Sequence, residues 1–186
     1  VTRQEQHDSE AAVTYVRRSL DLYERLGDER AVAEAWNTAA WVFVQRGELK
    51  RAAQAIETAQ RLAAHAHHES LSALLLATRA ELSLAQRHFD EAAAHAEASA
   101  AHKHVSAYGR AHALLLRAQA LAGQKVALPL LRRAYVDALK AAASQPRAFR
   151  AQVHEAFGDA MAGRGEAKES LEQTRMALGL TKPERA

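Results

Sequence analysis

At 186 residues the chain is long enough to bury a core of its own, and with no cysteine it cannot build disulfides or thiolate metal sites. Ala, Leu, Arg, Glu and Gln dominate while 8 glycines and 3 prolines fall at intervals, which favours an all-α chain. The net charge is only +3 but is unevenly divided: residues 1–100 hold 11 basic against 15 acidic side chains, and residues 101–186 hold 14 against 7.

No apolar run approaches the roughly 20 residues of a membrane span, and no secretory signal opens the chain. A cytoplasmic bacterial protein without a cofactor or membrane partner is therefore expected. The start at Val1 rather than Met suggests a piece of a longer protein.

The segment to about Asp8 is polar and reads as a frayed start. Val13, Val16, Leu20, Tyr23 and Leu26 then recur at helical steps and predict a helix over 10–26. Gly27 suits the left-handed residue that closes it, and Asp28 can cap the next helix. Val32, Ala35, Trp36, Ala39, Ala40 and Phe43 form one buried stripe up to Gln45. After a turn at Gly47-Glu48, Leu49, Ala52, Ala53, Ile56, Ala59, Leu62 and Ala63 form the next, giving a helix pair over about 28–65.

A second pair is predicted over about 69–104. Leu71, Leu74, Leu75, Thr78, Leu82 and Ala85 mark its first helix, His88-Phe89-Asp90 its turn, and Ala92, Ala93, Ala96 and Ser99 its second helix. Aligning Ala52 with Ala92 gives a step of 40 residues. A third pair, about 106–142, sets Ala111, Leu114, Leu115, Ala118 and Leu121 against Leu128, Leu131, Tyr135, Val136 and Leu139. Gly123 ends its first helix, and Pro129, tolerated only in a first turn, puts the turn at Gly123-Gln124-Lys125. After the break at Ser144-Gln145-Pro146, a fourth pair over 147–179 turns at Gly165 and stops at Gly179, and Pro183 begins a loose tail.

Trp36, Ala40, Phe43, Gly47, Ala52, Ile56 and Ala59 together resemble the tetratricopeptide repeat (TPR), in which large, small and aromatic residues, a turn glycine and two alanines recur at these spacings. Ala64 stands where the family usually has proline, and the 40-residue step exceeds the roughly 34 of the standard repeat. His154, Phe157, Gly158, Met161 and Gly165 also match, whereas Ser170 and Thr174 depart from the motif and 105–143 is the most divergent stretch. The resemblance implies a TPR-like α-α superhelix, a solenoid of antiparallel helix pairs. Helix 10–26 would then be the second half of an earlier pair.

In that family the first helix of each pair lines a concave face. On its register the partner-binding groove would hold Asn37, Trp41, Thr78, Glu81, Arg110, Arg117, Glu155 and Asp159. Trp41 lies five residues after Trp36, about 140° round the helix, so the two cannot share one buried stripe. It would either anchor a peptide in the groove or pack against the preceding helix. The family's carboxylate clamp needs lysines that are not at the required positions, so a chaperone tail is not the expected ligand.

His65, His68 and Glu69, and His102 with His104, are close in sequence but do not form a set of three or four converging metal ligands. No nucleophile, base or paired-carboxylate motif is present, so no enzyme activity is expected. The basic stretch 101–154, with Asp137 as its lone acid, is a solvated face or a surface for an acidic partner. Without interleaved aromatics, a helix-turn-helix or a phosphate loop, direct nucleic-acid binding is not expected. Two functions fit: a non-catalytic scaffold that binds a protein or peptide, or the ligand-sensing or homodimerising C-terminal part of a bacterial transcription regulator whose DNA-binding domain lies elsewhere.

Overall fold

The computed structural model describes residues 3–181. The described residues form nine α-helices and no strand: α1 (Arg3–Leu26), α2 (Glu29–Gln45), α3 (Leu49–His65), α4 (Glu69–Ala85), α5 (Phe89–Ala101), α6 (Ala107–Gly123), α7 (Leu128–Ala142), α8 (Arg147–Ala162) and α9 (Ala167–Thr181). The tail expected from Pro183 lies outside the described residues. None of these helices is long and apolar enough to cross a membrane.

Six of the turns follow one design. Gly27, Gly47, His67, Arg87, Lys125 and Gly165 all have positive φ, between 51° and 77°. In each turn the next residue's amide reaches back to a carbonyl five residues earlier, as in Asp28 to Tyr23 (3.2 Å), Glu48 to Phe43 (2.9 Å) and His88 to Ser83 (2.8 Å). This closes the last turn of the helix and satisfies carbonyls that would otherwise lack partners. At the start of α2, Asp28 Oδ1 accepts from the Ala31 amide at 3.0 Å.

Three boundaries differ from expectation. α1 begins at Arg3, because the stretch taken as frayed contains good helix formers and neither glycine nor proline. The α4–α5 turn runs through Gln86-Arg87-His88, with Phe89 already helical. Gly123 ends α6 as expected, and the left-handed position of the turn falls to Lys125 (φ 57°). Gly123 is also needed for close approach: a Cβ there would sit 2.4 Å from the Phe89 ring. Gly179 lies inside α9, where Arg147 donates to the carbonyls of Gly179 and Leu180, both at 3.2 Å.

The helices form two layers. α2 touches α4, α4 touches α6, and α6 touches α8, whereas no two odd-numbered helices come within 8 Å between Cα atoms. Each odd-numbered helix packs beside its even-numbered sequence neighbours. Burial follows this arrangement: nine residues are buried on α4 and eight on α6, against three on α5 and one, Ala177, on α9. One core cluster surrounds Phe43, Ile56, Leu71 and Leu75, and a second surrounds Leu131, Tyr135, Phe157 and Met161. A smaller cluster of Ala77, Ala80, Ala96 and Leu116 lies between them in the chain of helices.

Trp36 is half-buried against the first cluster, and Phe43 is buried within it under the Arg51 guanidinium, 4.1 Å from the ring centroid. On α1, Tyr15, Leu22 and Leu26 are 53% to 72% exposed and line up at steps of seven and four.

The turn geometry makes a stability prediction. Gly165 has open space around its missing Cβ, so Gly165→Ala tests backbone conformation alone and should lose about 1 kcal/mol. Lys125→Gly should gain about 0.5–1 kcal/mol by removing the same strain. Urea denaturation midpoints of the two variants should therefore move in opposite directions.

Candidate functional site

The touching even-numbered helices leave a depression of about 620 Å3 on their open side. Helical periodicity brings its lining into rows: Trp41 and Gln45 one turn apart on α2, Glu81 and Leu84 on α4, and Tyr108, His112 and Gln119 along α6. Gln152 comes from α8. Trp41 is 46% exposed and Tyr108 49%, whereas Glu81 is 8% exposed. Two aromatic side chains thus stand open on a surface with a buried carboxylate in its lining.

Glu81 is held from both sides. Gln45 Nε2 donates to its Oε2 at 3.4 Å, and His112 Nε2 lies 3.3 Å from its Oε1. The His112 ring stacks on Tyr108 with centroids 6.2 Å apart and meets Phe149 of α8 edge-on at 6.3 Å. Tyr108 and Phe149 are 5.0 Å apart, so α8 braces the aromatic wall that α6 presents. Burial pushes the Glu81 carboxyl up to about 7, partly offset by the Gln45 hydrogen bond, and burial lowers His112 from its ordinary value. Both shifts favour neutral groups, and a neutral acid and a neutral imidazole can still share one proton across the gap.

Of the eight residues chosen from the sequence, Trp41 and Glu81 share this depression. Asn37 and Thr78 meet at the α2–α4 seam, where Thr78 Oγ1 lies 2.9 Å from Asn37 Oδ1 and 3.1 Å from the Leu74 carbonyl, so Thr78, which is buried, ties helices together. Glu155 and Asp159 are exposed one turn apart on α8. They line a second depression of about 380 Å3 that shares Gln119 and Gln152 with the first. Arg110 and Arg117 line neither depression, and Arg117 points toward α5, 3.6 Å from Glu97. They lie about 140° to 180° round α6 from Tyr108 and His112, so the family register does not bring them to this face.

Gln45, Tyr108 and His112 were not among the residues chosen from the sequence. Following the four-residue step from Trp41 would have found Gln45. Tyr108 and His112 are also one turn apart, but the family register favours Arg110 and Arg117 on that helix.

Several other basic residues of that stretch reach acids or carbonyls. Lys103 meets Glu69 at 2.7 Å, Arg132 meets Glu166 at 3.1 Å and Glu169 at 2.8 Å, and Lys140 lies 3.9 Å from Asp137. Histidines form similar links: His65 with Glu29 and His68 with Glu34, both at 2.7 Å, and His104 with Glu69 at 3.1 Å. No group of three or more metal-capable side chains converges among the described residues. No lysine or arginine is among the described residues lining the two depressions.

No family model, curated protein or solved structure matches the chain.

The Glu81 environment predicts a pH effect. Folding raises the carboxyl pKa from 4.5 to about 7, so between these values the folded protein keeps a proton that the unfolded chain has released. Stability therefore falls as pH rises through that window, by up to about 3 kcal/mol above pH 7. Glu81→Gln removes the ionisable group and keeps an oxygen for Gln45, so it should stabilise the protein at pH 8 far more than at pH 4. His112, lowered by burial, contributes stability that is lost as pH falls, and comparing variant with wild type at each pH cancels most of that term. Denaturation at the two pH values measures the difference, and an equal effect at both would show that the carboxyl is not held protonated.

Proposed function

We propose that the chain is a non-catalytic, TPR-like scaffold that holds a protein or peptide segment in the trough of its even-numbered helices. Left-handed turn residues at 27, 47, 67 and 87, and again at 125 and 165, support a repeating unit of 40 residues. Contact between even-numbered helices and separation of odd-numbered ones support a curved stack with the even layer inside.

The observation that carries the reading is the pair of open aromatics, Trp41 and Tyr108, on the wall of one depression. Large amphipathic rings supply contact area with few rotamers to freeze, which makes them frequent anchors of binding. The expected mechanism is recognition on a preformed surface, in which helix packing has already fixed the ring positions and little is lost in ordering them.

Panning a random peptide library against the wild-type protein should enrich sequences that bind Trp41→Ala roughly thirtyfold more weakly, the loss of one strong anchor. If nothing is enriched, or if every enriched peptide binds both proteins equally, the trough is not the binding site.

A second reading, homodimerisation as in the C-terminal part of a transcription regulator, is favoured by the exposed stripe of Tyr15, Leu22 and Leu26 on α1. It predicts a dimer in sedimentation velocity that Leu22→Glu dissociates. A monomer at every concentration would rule it out.

A further inference from the structure

We infer that the trough takes a basic peptide segment of a partner protein, with an arginine guanidinium seated against Glu81 between Trp41 and Tyr108. The inference rests on the peptide-binding reading above and assigns its ligand a chemical class.

Glu81 is 8% exposed yet lines an open depression. Its described partners are an amide at 3.4 Å and an imidazole at 3.3 Å, both beyond the ordinary range of a strong hydrogen bond to a carboxylate. A carboxylate withdrawn from water without a cation is poorly compensated. A guanidinium would supply both missing elements, a full positive charge and a planar fork of donors matched to the two oxygens. It also stacks on aromatic faces, and the same depression offers two half-open rings.

Charge along the trough points the same way. The second depression, continuous with the first through Gln119 and Gln152, adds Glu155 and Asp159. From Glu81 to Asp159 the described lining thus carries three carboxylates and neither lysine nor arginine. An acidic segment would meet repulsion along this path, and a neutral one would leave Glu81 as it is. The acidic partner expected from the basic stretch 101–154 is disfavoured here, because Arg117 and Arg132 meet acids away from the trough.

The test uses four fluorescein-labelled nonapeptides in which alanine alternates with arginine, lysine, glutamate or serine, titrated into the whole protein with anisotropy as the readout. The arginine peptide should bind best. Its affinity should fall tenfold or more in Glu81→Gln and in Tyr108→Ala, and stay within twofold in Glu57→Gln, an exposed acid on α3. Thermal unfolding of each variant checks that it is folded, and Glu81→Gln, which removes a buried ionisable group and keeps its shape, is not expected to unfold.

Equal binding of the arginine peptide by wild type and Glu81→Gln would overturn the inference, as would equal binding of the arginine and lysine peptides. Trp41-dependent binding of the glutamate or serine peptide in preference to the basic ones would overturn it while leaving the peptide-binding reading intact. If none of the four binds and library panning also enriches nothing, both fail together.

Discussion

Even-numbered helices touch one another, and between α4 and α6 small Ala77 and Ala80 stand beside Leu116. The spacing of two packed helices is set by the side chains between them, and a layer built on leucine would hold its members farther apart. Ala77 and Ala80 of α4 pack with Ala96 and Leu116, and Ala80 and Ala96 have no exposed surface. Buried alanines stand in both layers, Ala77 and Ala80 on α4 and Ala52, Ala55, Ala59 and Ala63 on α3, and larger side chains from both, such as Phe43, Leu71 and Phe157 on even helices and Ile56, Leu131 and Tyr135 on odd ones, fill the space between. A hairpin of two thin helices cannot exclude water from both faces, so each relies on the next.

The same closeness creates the site. A helix flanked on both sides must satisfy every polar group it turns inward, because a buried donor or acceptor without a partner costs a large part of a hydrogen bond. Across the α2–α4 seam this is met by Asn37 with Thr78 and Gln45 with Glu81, and across α4–α6 by Glu81 with His112. Glu81 therefore links three helices and still lines an open depression. Its carboxyl is the least comfortable group there, and that discomfort is what a cationic ligand would relieve.

Much of the helix order was legible because glycine, proline and the apolar stripes recur at regular steps. The closing residues Gly27, Gly47 and Gly165 were readable, since glycine adopts positive φ without steric strain. His67, Arg87 and Lys125 hold the same conformation with nothing in their chemistry to announce it. Gly123 was readable as the end of α6, but its close approach to a ring on another helix is something no local pattern reveals. At the site, Trp41 could be separated from Trp36 by helical angle alone. The resemblance puts Arg110 and Arg117 in the groove, whereas in the structure they line neither depression, in the stretch where the repeat is most divergent. The charge excess in 101–154 left a solvated face and an acidic partner both open, because composition records how many cations there are and not which acids they face.

Hydrogen exchange resolved by helix tests the open two-layer stack most directly, since it reports how well each backbone segment is covered. Helices flanked on both sides, α4 and α6, should exchange slowest, and α9, which rests on α8 alone, should be among the fastest. If the amides of α9 are protected as well as those of α4, the helices close on themselves as a bundle and no trough lies open between them.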